Sequence, residues 1–201
     1  MRTAARYATW QPAAMSDTYS HGHHESVLRS HRWRTAENSA PHLLALLQPG
    51  QRLLDVGCGP GTITADLAEL VAPGATLGVD AGADVIEQAT HDHVAANLTF
   101  AVGDAYALDL ADGSVDVVHA HQGLQHLTDP VRALREWRRV LAPGGILAVR
   151  DSDYASFAWS PTDPVLTRWM ELYHQLTAHN RAEADAGRHL LRWVHEAGFS
   201  D

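Results

Sequence analysis

Leu53-Leu54-Asp55-Val56-Gly57-Cys58-Gly59-Pro60-Gly61-Thr62 constrains this chain more than any other stretch. An apolar run from Arg52 to Val56, suited to a buried parallel strand, enters three glycines at alternate positions, and a helical pattern starts at about Thr62. Glycine tolerates left-handed backbone and lets a ligand approach the main chain. Strand, glycine turn and helix N-terminus together predict a cofactor cradle at the carboxyl edge of a parallel sheet. The glycines read G-x-G-x-G, with Thr62 where a dinucleotide fingerprint places its last glycine, and no G-K-[ST] follows, which excludes a P-loop.

Downstream, strands and helices alternate. Strands are predicted at 52–56, 75–79, 98–102, 114–120 and 145–149. Helices are predicted at 35–47, stopped by Pro49-Gly50, and at 62–71, with Leu67, Leu70 and Val71 on the sheet. Others are predicted at 84–96, with Val94 in its apolar set, at 130 to about 141, at 164–177 and at 185–196. Asp129-Pro130 is an N-cap followed by proline at the first helical position. This alternation predicts an α/β fold, a parallel sheet with helices on both faces. Residues 1 to about 20 read as a loose arm, and a short helix is predicted at 26–34.

Composition narrows the partners. With 201 residues, 45% hydrophobic and 19% charged, the chain has the profile of one globular domain. A formal charge of −9 and no long basic run argue against nucleic acid. Every basic residue except histidine is arginine, so lysine-based catalysis is excluded. Cys58, the single cysteine, reads as a small turn residue rather than a nucleophile. No stretch is long and apolar enough for a membrane span, and no secretory signal is present, so the default location is the cytoplasm. His21, His23 and His24 lack the cysteine and acidic partners of a metal site, and no metal is assigned.

The string D-V-G-C-G-P-G resembles motif I of the class I S-adenosylmethionine (SAM)-dependent methyltransferases. Val115 to Val118 resembles the family's motif IV strand, and Val140-Leu141-Ala142-Pro143-Gly144-Gly145 its post-helix turn. The match is closest to the ubiquinone/menaquinone-type branch and covers about residues 50 to 150. The resemblance implies a Rossmann-like, doubly wound sheet of order 3-2-1-4-5, with an N-terminal arm and helical lid over 1–36 and a SAM-binding domain over 37–201. Trp33, Arg34 and Thr35 are lid candidates, and the helices of 151–201 would build the substrate pocket.

The cofactor residues it implies are Asp55, Gly57, Cys58, Gly59, Gly61, Asp80, Ala81, Gly103, Asp104, Ala105, His121 and Gln122. Asp80 ends the second strand about 20 residues past the glycine turn, where a carboxylate accepts from both ribose hydroxyls. Asp104 and Ala105 would meet adenine. His121 and His126 are the candidate bases, because a histidine at a strand's carboxyl end can take a proton from a hydroxyl nucleophile. Period-two alternation sends His119 and His121 to the same side. Tyr154, Phe157, Trp159, Trp169 and Tyr173 would suit an apolar or aromatic small-molecule acceptor. Two other readings stay open: a non-catalytic SAM-binding domain, and an NAD(P)-dependent oxidoreductase, which Thr62 disfavours.

The resembled fold has seven strands, the last two an antiparallel hairpin beside the fifth. Five are countable here, and Phe199-Ser200-Asp201 looks like the approach to a sixth. The expectation is a truncated form whose fifth strand is a bare apolar edge, paired by a partner chain such as a second copy or else leaving the fold with low stability.

Overall fold

The computed structural model describes Asp17 and residues 33–200. The histidines at 21, 23 and 24 lie outside the described residues, as does the expected helix 26–34 except for Trp33 and Arg34, which are not helical.

Five strands form one sheet: β1 (Leu53–Val56), β2 (Thr76–Asp80), β3 (Leu98–Val102), β4 (Val115–His121) and β5 (Leu141–Arg150). All neighbours pair in parallel, in the order β3-β2-β1-β4-β5. Both apolar residues that open β1 are buried, and they point to opposite faces as strand geometry requires. Leu53 packs with Val117, Ala148, Leu43, Ile63, Leu67 and Val71, whereas Leu54 packs with Val118, Ala120, Leu134, Trp137 and Trp193. Helices therefore cover both faces: α1 (Ala36–Ser39), α2 (Pro41–Leu44) and α3 (Thr62–Val71) on the first, and α5 (Pro130–Val140) and α7 (Leu190–Glu196) on the second. α4 (Ala83–Asp92) follows β2, and α6 (Pro164–His179) follows β5.

Local chemistry sets the boundaries. Asp129 caps α5 by accepting from Arg132 N–H at 3.0 Å, with Pro130 in the first turn. Asp163 caps α6 through Val165 N–H at 2.7 Å and Leu166 N–H at 3.2 Å. The single helix expected over 35–47 is two short ones. Thr35 and Asn38 form a capping box at the start of α1, and Pro41, which has no N–H, ends that helix and begins α2. Leu67 and Val71 are buried as expected, but Leu70 is 45% exposed. Val94 lies beyond the end of α4 and is exposed. The helix expected over 185–196 opens as a 3-10 turn, Ala186–His189, before α7.

β5 begins earlier than the sequence predicts. Val115 pairs with Leu141 and Val117 with Ile146, so two steps along β4 span five along β5. The glycine-proline segment expected only to break the helix is a bulge inside the strand. Among the described residues no strand flanks the outer side of β5. That side opens on a groove of about 390 Å³ lined by Leu46, Leu190, Val194 and Phe199.

Candidate functional site

A cavity of about 220 Å³ crosses the carboxyl ends of β1, β2 and β4 and the loop that follows β3. The glycine turn forms one wall. Gly57, Gly59 and Gly61 have φ of 73°, 54° and 80°. Gly57 and Cys58 both donate their N–H to Val79 O, at 2.8 and 3.0 Å, which fastens the turn to the end of β2. A Cβ on Gly59 would meet no atom within 4 Å, so the backbone there is open to a ligand.

Gly61 differs. It does not line the cavity, and a Cβ there would stand 2.6 Å from the Phe100 ring and 3.2 Å from Ala89 Cβ. Its bare backbone seats Phe100 against the start of α3. Cys58 lines the cavity with its thiol pushed well up by burial, then by Asp55 and Asp80, which keeps it protonated and unreactive.

Asp80 ends β2 beside the turn. Its Oδ2 accepts from Gly59 N–H at 3.1 Å and its Oδ1 from Gly82 N–H at 2.9 Å. Each oxygen keeps a lone pair, so the carboxylate can still accept from a ribose diol. Ala81, Gly103 and Ala105 line the same end of the cavity. Trp137, 1% exposed, fixes this end by donating Nε1–H to Ala105 O at 3.0 Å. Asp104 does not line the cavity. Its Oδ1 accepts from Tyr106 N–H at 2.8 Å, the turn an aspartate makes with the backbone two residues on, and the side chain is exposed.

The other end is built on β1 and β4. Asp55, His121, Gln122 and His126 all line the cavity. Burial lowers the His121 pKa to about 3, helped by Arg34, His119 and Arg150, against an opposing effect of Asp55. The ring is neutral across the physiological range and a weak base, and its buried Nδ1 has no hydrogen-bond partner. Gln122 has φ 55°, an uncommon conformation for a residue with a side chain. It is held on three sides: its N–H donates to Arg150 O at 2.7 Å, its Oε1 accepts from Arg34 Nη2 at 2.6 Å, and its Nε2 donates to Ser152 Oγ at 3.0 Å. His126 lies on the 3-10 turn Leu124–His126 and is 8% exposed.

Sequence reasoning missed several lining residues. Asp17 reaches the cavity from the N-terminal arm, its carboxylate accepting from Thr128 N–H at 2.9 Å, and nothing local in the sequence signals that contact. Thr62, Val85 and Trp137 line it as well. Of the lid candidates Arg34 lines the cavity, while Trp33 is 79% exposed and Thr35 caps α1. Four of the five expected pocket aromatics meet one another instead of the cavity. Tyr154 lies 4.4 Å from Tyr173 and 5.0 Å from Phe157 between ring centroids, and Trp169 stacks on Tyr173 at 5.7 Å. Trp159 is not part of these stacked rings. Among the described residues no group of His, Cys, Asp and Glu could hold a metal, and no helix is long and apolar enough to cross a membrane.

The donor set suits SAM: an open glycine turn, a carboxylate at the end of β2 and a second carboxylate on β1 facing the same cavity. Comparison with known proteins agrees. A family model described as a methyltransferase domain matches residues 47–198. An uncharacterized methyltransferase of Schizosaccharomyces pombe is 31% identical over 190 residues, covering 90% of this chain and 68% of that protein. A demethylmenaquinone methyltransferase of Lactococcus lactis is 35% identical over 62% of this chain, which spans only 48% of its length. Among solved structures, a SAM-dependent methyltransferase from Thermotoga maritima superposes with a TM-score of 0.63 at 26% identity, covering 87% of this chain and 78% of that one. Sheet order, glycine turn and these likenesses agree, and the chain belongs to the class I SAM-dependent methyltransferases.

Proposed function

We propose that this chain moves the methyl group of SAM to an apolar, ring-bearing small molecule, with the nucleoside over β2 and β3 and the transfer at the β1–β4 end of the cavity. The observation that carries this reading is the cavity itself, with Asp80 at one end and the neutral His121 at the other. Asp55, Gly57, Cys58, Gly59, Asp80, Ala81, Gly103, Ala105 and Gln122 hold the cofactor. Asp104, turned to its own backbone, contributes through the neighbouring Ala105.

SAM supplies an electrophilic methyl carbon on a sulfonium. An electron pair of the acceptor would form the new bond to that carbon as the carbon–sulfur bond breaks, its electrons staying on sulfur in S-adenosylhomocysteine (SAH). The acceptor's proton leaves to solvent. Alignment and exclusion of water do most of this work. With its pKa lowered to about 3, His121 accepts a hydrogen bond from the acceptor and orients it rather than removing its proton. His126, further along the same loop, is the second candidate for contact with the acceptor.

The apolar acceptor is favoured by relatives such as the Lactococcus protein, named for demethylmenaquinone. Screening quinol, phenol and amine acceptors for SAH release tests the reading. Turnover with a quinol or phenol is expected, and turnover confined to amines would contradict it. The outer side of β5, apolar and uncharged from Ile146 to Val149, is proposed to pair with a second copy. Light scattering should give a dimer, and a monomer at assay concentration would rule it out.

A further inference from the structure

Asp55 and His119 stand opposite one another in the register of β1 and β4. His119 Nδ1 lies 2.7 Å from Asp55 Oδ1, and Asp55 Oδ2 accepts from Thr64 Oγ1 on α3 at 2.6 Å. The two side chains are 0% and 3% exposed. An ionised carboxylate only accepts, so Nδ1 is the donor of this contact. His119 Nε2 is then buried with no hydrogen-bond partner, a cost that an apolar residue here would not carry. Asp55 lines the cavity and His119 does not. The histidine therefore touches no ligand, yet it fixes one of the two oxygens of a carboxylate that can.

The cavity divides the cofactor. Asp80, Ala81, Gly103 and Ala105 line the end over β2 and β3, which suits a nucleoside. Asp55, Arg34, His121 and Gln122 line the end over β1 and β4, which leaves the amino-acid half there. That half carries an ammonium, and Asp55 is the carboxylate set on β1 itself. With Thr64 on one oxygen and His119 on the other, the carboxylate is held in one orientation before the cofactor arrives.

We propose that His119 is a positioning residue which, through Asp55, sets the affinity of the site for the amino-acid half of SAM and SAH. The inference rests on the reading of Asp55 as a cofactor ligand. It separates two ligands that share a nucleoside: SAH carries the amino-acid half, and 5′-methylthioadenosine lacks it. Two amide variants separate donor position from polarity. The Nδ2 of an asparagine at 119 takes the place of the imidazole Nδ1, whereas glutamine carries its amide one carbon further out.

The experiment is calorimetric titration of SAH and of 5′-methylthioadenosine into the wild type, Asp55→Ala, His119→Asn, His119→Gln and Thr64→Val, with thermal melts of each. His119→Gln should weaken SAH by about tenfold or more, the scale of one charge-assisted hydrogen bond, and leave 5′-methylthioadenosine within about twofold. His119→Asn should keep SAH within about threefold of wild type. Parallel loss of both ligands in His119→Gln, or equal SAH affinity in the two amide variants, would overturn the inference. If His119→Gln does not melt cooperatively, Thr64→Val carries the same comparison, and an unaltered ratio of the two affinities there would overturn it. Asp55→Ala keeps the two readings apart. An unchanged ratio in that variant removes Asp55 from the amino-acid end, whereas a changed ratio there with none in His119→Gln removes only His119.

Discussion

Replacing Gly61 by alanine strikes the part of the glycine turn that faces the protein interior. Gly61 has φ 80°, where an L-residue costs about 1–2 kcal/mol. The new methyl would stand 2.6 Å from Phe100 Cζ. That ring cannot swing aside freely, because Gly78 on β2 meets it from another side: a Cβ there would lie 2.7 Å from its Cδ1. Overpacking of this kind costs about 1–3 kcal/mol, and the two effects together amount to about 2–5 kcal/mol. For a domain of this size the melting temperature should fall by about 4–20 °C. SAH affinity of the folded protein should stay within about threefold of wild type, since the methyl does not enter the cavity. Gly59→Ala is the matched control. Its φ of 54° brings similar backbone strain, but its methyl projects into open space on the cavity side. It should lose about tenfold or more in SAH affinity with a smaller drop in melting temperature. Thermal melts and calorimetry on the two variants decide the matter. A Gly61→Ala protein that melts like wild type but no longer binds SAH would refute the assignment.

Asp80→Ala should lose about 1.5–3 kcal/mol of SAM affinity, and because two loop N–H groups lose their acceptor it should also lower the melting temperature; unchanged affinity by calorimetry would remove Asp80 from the site. His121→Gln should lower turnover by less than about tenfold, and the wild-type rate should show no inflection between pH 6 and 7 from this residue, because its pKa is about 3; a loss of about 10²–10⁴ would restore the base role. Asp151 is half-buried beyond β5 with its Oδ2 buried, and its carboxyl is pushed up to about 7 by desolvation against the hydrogen bonds from Gln125 and Leu124 N–H. Between its ordinary value and about 7 the folded state holds more protons than the unfolded one, so this group's contribution to stability falls as pH rises through that window. Asp151→Asn should match wild type near pH 4 and exceed it at pH 8 by up to about 4 kcal/mol in denaturant unfolding; equal stability at both would contradict the buried carboxyl.

The sheet was legible because each strand is a short apolar run with a turn signal after it, and Leu53 and Leu54 obey strand alternation. α3 and the start of α5 were legible because Gly61, Thr62, Asp129 and Pro130 are local punctuation. The split at Pro41 was overlooked although the proline is in the string, since the apolar pattern on either side hid it. Asp80 was readable from its distance past the turn, and the structure keeps it in the cavity. Asp104 and Gly61 lie off the cavity lining for physical reasons. A short Asx turn took the carboxylate of Asp104, and an aromatic ring from β3 took the space beside Gly61. Asp17, Trp137 and the Asp55–His119 contact depend on partners 32 to 111 positions apart, which local patterning does not reveal.

Calorimetric titration of the wild-type protein with SAM, and separately with NADH, tests the central claim most directly. A single SAM site that disappears in Gly59→Val, with no heat from NADH, is the predicted result. Absence of SAM binding in the wild type, SAM binding retained in Gly59→Val, or saturable NADH binding at the same site would contradict the cradle described here.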